Sequence, residues 1–199
     1  QYGNRINYID YHPSYHHLLG VAIKNEIPSF AWKHKKQGSQ VAHMALTYMF
    51  NQVEGGVMCP MAMTYSVIPA LKHNPDLEAQ WLPKVLSNKY DDRDIPIDQK
   101  LGGTIGMFMT EKQGGSDVRA NSTRAKPVSS SVGNGSEYLL TGHKYFCSAP
   151  MCDAFLVLAS TNVGLSCFLV PRWKPNGERN SFFIQRLKDK LGNRSNASS

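Results

Sequence analysis

Hydrophobic periodicity changes once along this chain, near residue 100, and that change limits the fold more than any other feature. Before it, apolar residues recur every three or four positions, the spacing of one helix face. Tyr15, Leu18, Leu19 and Ala22 do so after Pro13, a residue suited to a first helical turn. Val41, Ala42, Ala45, Leu46, Met49 and Phe50 do so again, and Gly55-Gly56 provides a stop. A third helix is predicted from Pro60 to His73, through Met61, Met63, Tyr65, Val67, Ile68 and Leu71. A fourth is predicted from Leu77 to Leu86, with Asp76 as N-cap after Pro75. Beyond residue 100 the apolar runs shorten to Tyr138–Leu140, Phe155–Leu158 and Ser166–Val170, with turn-type sequences at Gly133-Asn-Gly135, Asn162-Val-Gly164 and Pro175-Asn-Gly177. Such spacing predicts an antiparallel barrel or sandwich. The fold class is therefore α+β, with a helical part over residues 1–100 and a β part over 101–199.

Composition narrows the class. The chain has 199 residues, 41% apolar and 19% charged, an ordinary globular mixture that excludes intrinsic disorder. No apolar run approaches the roughly 20 residues of a bilayer-spanning helix. A net charge of +7 favours polyanions such as nucleotide cofactors, coenzyme A or nucleic acid, without choosing among them. Cys59, Cys147, Cys152 and Cys167 match no zinc spacing and read as free intracellular thiols. His12, His16 and His17 lack acidic or cysteine partners nearby, and no metal site is expected. Asn121, Asn134, Asn193 and Asn196 head Asn-x-Ser/Thr triplets, a short and common pattern. The chain begins at Gln1 and ends at Ser199 without targeting or capping features, which reads as a fragment of a longer parent.

One stretch carries chemistry: Gly106-Met-Phe-Met-Thr-Glu-Lys-Gln-Gly-Gly-Ser-Asp-Val118. A strand from Gly103 to Met109 runs into a polar loop with paired glycines. Gly114-Gly115 lets backbone amides approach an anion closely, and Ser116 adds a hydroxyl beside them. The geometry fits a phosphate nest or a simple hairpin turn.

The stretch Met109–Val118 resembles the first signature of the acyl-CoA dehydrogenase family, and Thr141-Gly-His-Lys-Tyr-Phe-Cys-Ser148 resembles the family's second block. Leu165–Arg172 and Leu187–Ser198 extend the likeness, which is closest to the AidB-type, adaptive-alkylation-response branch and covers most of the chain. The resemblance implies part of an N-terminal helical domain followed by an incomplete β-barrel-like middle domain, with the C-terminal helical bundle missing.

It also implies FAD, held without a covalent link. Cofactor contacts carry over to Met107, Met109, Thr110, Gly115, Ser116, Phe146, Cys147 and Ser148. Thr110 and the backbone at Met109 would bond the pyrimidine side of the isoalloxazine, where donors stabilise charge gained on reduction. Ser116 would sit near the pyrophosphate. Phe146 stands where relatives have tryptophan and would pack on the ring, and Ser148 stands where many have threonine and would donate to flavin N5. The Cys147 side chain, between them on a strand, is expected to point into the core. Lys188, Lys190 and Arg194 read as a solvated basic segment, with anion contact as the alternative.

The reaction implied is α,β-dehydrogenation of an acyl-CoA thioester, with the base on a glutamate beyond this chain, so no catalytic residue is nominated. The alternative is an AidB-type flavoprotein with weak dehydrogenase activity and a DNA-binding role. The partners implied are an acyl-CoA, an unspecified electron acceptor and further copies of the chain as a dimer or tetramer, in an intracellular protein.

Overall fold

The computed structural model describes residues 2–199. Five helices come first: α1 (Pro13–Lys24), α2 (Phe30–Lys33), α3 (Ser39–Val53), α4 (Met58–Leu71) and α5 (Pro75–Val85). Five strands follow: β1 (Ile105–Phe108), β2 (Arg124–Pro127), β3 (Tyr138–Thr141), β4 (Ala154–Thr161) and β5 (Gly164–Pro171). The α+β arrangement is the one the periodicity predicts.

Local differences have local causes. Helix α5 is capped by Asn74, whose side chain accepts from the amides of Asp76 and Leu77, rather than by Asp76. Pro75 lacks an N–H and takes the first helical position, so the cap falls on the residue before it. Asp76 then lies in the first turn, where its charge complements the helix dipole. In α3 the periodic stripe is not a buried face. Only Ser39 and His43 are buried, while Val41, Met44, Tyr48, Met49 and Val53 are exposed.

The sheet is mixed rather than purely antiparallel. Strands β4 and β5 form an antiparallel hairpin along their full length, closed by Asn162 and Val163. The other edge of β4 is shared: β1 pairs with it in parallel over Ala154–Val157, and β2 joins it in parallel at Ser160. β3 then pairs antiparallel with β2. Parallel neighbours arise because β1 and β2 lie end to end along one edge of β4, running the same way. Between them the chain leaves the sheet at Phe108 and returns at Arg124, so the segment 109–123 projects from the middle of a sheet edge.

Three apolar clusters hold this frame. Val67, Ile68, Leu71, Trp81 and Val85 of α4 and α5 pack on Ile105, Ala154 and Leu156 of the sheet. Leu19, Ala22 and Ile23 of α1 pack on Val57, Met58 and Met61 at the start of α4. Phe108, Cys147, Cys152, Phe155 and Val157 form the third, with Phe182 stacked on Phe155. At about 25 cal/mol per Å² of apolar surface, these clusters are the main stabilising term. A polar link fixes α4 to β1: the Ile105 amide donates to the Thr64 hydroxyl at 3.2 Å, which satisfies a donor on the free edge of β1.

Candidate functional site

The projecting segment is held from beneath by Glu111, a buried carboxylate. It accepts from the Ser122 amide (2.6 Å) and hydroxyl (2.7 Å), the Thr123 amide (2.9 Å) and hydroxyl (2.5 Å), and the Lys144 ammonium (3.0 Å). Burial alone raises a carboxyl pKa, but the bonds from Thr123 and Ser122 outweigh it and hold Glu111 well below the usual carboxylate range. Asn121, also buried, donates to the Met109 carbonyl at 2.8 Å and accepts from Gln113 at 3.1 Å. The excursion is therefore laced shut at its base. Asn121 was legible only as part of a glycosylation triplet, and burial of Asn121 and Asn196 leaves neither side chain free for that modification.

At its outer side the loop needs glycine twice. Gly114 has φ +132°, a conformation L side chains rarely adopt. A Cβ on Gly115 would come within 3.0 Å of the Thr110 hydroxyl oxygen, so the loop folds its second glycine back against Thr110. Among the described residues, the amides of Gly115 and Ser116 donate to no protein acceptor. Ser116 is exposed on this loop.

The second sequence block meets the first through one backbone bond: the Tyr145 amide donates to the Thr110 carbonyl at 2.8 Å. Gly142 permits this approach, since a Cβ there would sit 2.2 Å from the Thr123 hydroxyl. Phe146 follows at φ +73° with its ring half exposed. That positive φ, with another at Ala149, breaks the expected strand, and residues 146–148 form no regular one.

The candidate residues divide accordingly. Thr110, Gly115 and Phe146 are brought to one edge of the sheet, with Ser116 on the adjoining loop. Met107 and Met109 are half-buried and pack against the cluster shared by α4, α5 and the sheet. Ser148 faces Ser198, hydroxyl to hydroxyl at 3.2 Å. Cys147 is turned inward, as expected of its side chain, and its amide and carbonyl both pair with Ser199. Burial pushes its thiol up to about 12.

The basic C-terminal residues are not uniformly solvated. Lys188 lies over the Tyr145 ring and 4.3 Å from the centroid of Phe146. The half-buried Lys190 bonds to the Asn196 carbonyl and, at 3.3 Å, to the Ser198 hydroxyl. Arg194 pairs with Asp189 at the surface. The Nδ1 atom of His12 caps α1 by accepting from the Ser14 amide, and His16 bonds the Tyr90 hydroxyl at 2.7 Å.

This frame and loop are those of a known class. The family described as "Adaptive response protein AidB N-terminal domain" matches residues 1–92, and "Acyl-CoA dehydrogenase, middle domain" matches residues 106–199. The chain belongs to the acyl-CoA dehydrogenase family. Within it, the chain corresponds to the N-terminal and middle portions of an AidB-type member. It is 46% identical to the AidB protein of Escherichia coli (strain K12) over 98% of its own length and 36% of that protein's. Among solved structures, the apo form of Bd2924 superposes with a TM-score of 0.81 at 32% identity, over 99% of this chain and 39% of that one. ACDH-11 of Caenorhabditis elegans, solved with C11-CoA, superposes with a TM-score of 0.82 at 26% identity, over 99% of this chain and 34% of that one. The chain thus spans little more than a third of the relatives it matches.

Proposed function

We propose that the protein to which this chain belongs binds FAD without a covalent link and oxidises an acyl-CoA thioester between its α and β carbons. The observation that carries this reading is the convergence of Thr110, Gly115 and Phe146 at one sheet edge, with unpaired amides beside them. These residues fit a flavin. Gly115 lies against the Thr110 side chain where a Cβ would crowd it, the Thr110 hydroxyl has no hydrogen-bond partner among the described residues, and the Phe146 ring is exposed.

When bound, FAD supplies the acceptor for hydride. Thr110 would donate to the pyrimidine side of the ring, Phe146 would cover one face and exclude water, and the amides of Gly115 and Ser116 would meet the phosphates. Ser148 would add its hydroxyl, which its bond to Ser198 orients. Glu111 is not the base, because Ser122, Thr123 and Lys144 use its carboxylate. The proton is assigned to a carboxylate outside this chain.

Titration of the purified full-length protein with FAD, followed by absorbance and quenching of flavin fluorescence, tests the cofactor. Uptake that T110V and F146A each weaken is the expected result, and no uptake at any concentration would sink the reading. The match to the AidB N-terminal domain favours a second function, weak dehydrogenation with an alkylation-response role on DNA. Turnover of an acyl-CoA panel with an artificial acceptor separates the two. Absence of turnover together with salt-sensitive duplex binding selects the second.

A further inference from the structure

The turn Gly133-Asn-Gly135 lies between β2 and β3, and it is tied down rather than free in solvent. The Asn134 carboxamide donates from Nδ2 to the His73 carbonyl at 2.6 Å, and the Nδ2 of Asn74 approaches its Oδ1 at 3.5 Å. Gly135 lies against the same Asn74 amide, since a Cβ on it would stand 3.1 Å from that nitrogen. Asn74 is the cap of α5 and commits its Oδ1 to the amides of Asp76 and Leu77. One exposed side chain thus clasps the β2–β3 loop to the helical part of the fold, between residues 61 positions apart.

The same dipeptide carries a reactivity of its own. The backbone nitrogen that follows an asparagine can attack the side-chain Cγ, and glycine in that place has no Cβ to obstruct the approach. The chain has two Asn-Gly pairs, Asn134-Gly135 and Asn176-Gly177, and their surroundings differ. The Gly177 amide donates to the Lys174 carbonyl at 2.9 Å, and the Asn176 Oδ1 accepts from the Glu178 amide at 3.0 Å, so nucleophile and electrophile are both held. The Lys174 and Glu178 side chains close that turn again at 2.6 Å. Among the described residues the Gly135 amide donates to no acceptor, and the bond to His73 is the one short restraint on the Asn134 side chain.

We propose that Asn134 is a self-modification site: Gly135 converts it to aspartate or isoaspartate, and the product unclasps the β2–β3 loop from the start of α5. In the first step the bond from the Gly135 nitrogen to Cγ forms, the Cγ–Nδ2 bond breaks, and ammonia leaves with the proton of the Gly135 amide. The result is a cyclic imide. Water then opens it at either carbonyl, giving an aspartyl or an isoaspartyl residue, with no change of oxidation state. Both products place a carboxylate, which only accepts, where Nδ2 donated to the His73 carbonyl. Two acceptors facing each other repel, and the clasp opens. The isoaspartyl product also adds one carbon to the main chain and moves Gly135 off Asn74. Asn176 is the protected counterpart.

Incubation of the purified full-length protein at mildly alkaline pH tests this, with peptide mapping by a mass-spectrometric method that separates aspartate from isoaspartate. Conversion of Asn134 is expected to run about fivefold faster than that of Asn176, the factor for one further hydrogen bond to break. In denaturant, where both turns are lost, the two rates should converge. N134D carries the aspartyl product directly, and its backbone amides over residues 129–136 should exchange hydrogen faster than in the unmodified protein, with residues 173–179 unchanged. Any of three results overturns the proposal: conversion of Asn176 as fast as that of Asn134 in the native protein, the same ratio of rates in denaturant as in the native protein, or unaltered exchange in N134D.

Discussion

Lys144 donates to Glu111 at 3.0 Å, and both side chains are more than nine-tenths buried. This pair ties the block around Tyr145 to the root of the signature loop. The partners are unequal: Glu111 also receives four bonds from Ser122 and Thr123, while Lys144 has Glu111 alone among carboxylates. Removing the carboxylate strands a buried ammonium and the buried Thr123 amide together. E111A is expected to lower stability by about 3–5 kcal/mol, and K144M by clearly less. Urea unfolding of the two variants gives the ranking, and the reverse order would show that the loop is not hung on Glu111.

Acid should act through the same group. The folded protein holds Glu111 below the ordinary carboxylate range, so its ionised form is favoured in the fold. Its contribution is complete above the unfolded pKa and is lost as pH falls toward the depressed folded value. Asp91, bonded by Arg93, is depressed as well and behaves with the same sign. Stability is therefore expected to fall between roughly pH 5 and pH 2, with a shallower fall in E111Q. Thermal melts across that range check it; parallel pH curves for the two proteins would remove Glu111 from the account.

Much of this was readable in the sequence because it rests on local pattern. The period switch located α1, α3, α4, α5, β4 and β5, and the signature located the projecting loop. Strand β2 was not readable: Arg124-Ala-Lys-Pro127 buries only Ala125, so it has no apolar run, and its place depends on β3 and β4. The parallel pairing of β1 was also hidden, since its partner lies more than 40 residues on, at Ala154. The anchors were missed for a similar reason. Nothing local says that Glu111 meets Lys144, or that Ser198 and Ser199 return to pair beside Cys147. Asn121 and Gly142 look like ordinary loop residues until Met109 and Thr123 are placed against them.

Thiol chemistry offers a check on packing. Cys147 and Cys152 are both buried, and burial pushes each thiol up to about 12. At pH 8 both should be protonated and out of reach, because the thiolate is the nucleophile. Cys167 is exposed and Cys59 half-buried. Ellman's reagent is expected to label Cys167 first in native protein, and to reach Cys147 and Cys152 only after denaturant is added. Rapid native labelling of Cys147, mapped by mass spectrometry, would contradict the pairing of its backbone with Ser199.

Phe146 separates stability from function most sharply. It holds φ +73° while leaving its ring half exposed, so the fold bears a strained backbone and gains little burial in return. The left-handed region costs a residue with a Cβ roughly 1–2 kcal/mol, and glycine escapes that cost. F146A removes the ring but keeps the strain, whereas F146G removes both. The expected order of stability is F146G above F146A by about 1 kcal/mol, after allowing for glycine's greater freedom in the unfolded chain. FAD uptake should fall in both variants, because each lacks the flat face. Urea midpoints and flavin titrations on the same two proteins decide the matter. If F146G were the less stable, the strain would be illusory; if both bound FAD as tightly as the parent chain, the ring would serve packing with Tyr145 and Lys188 and not the cofactor.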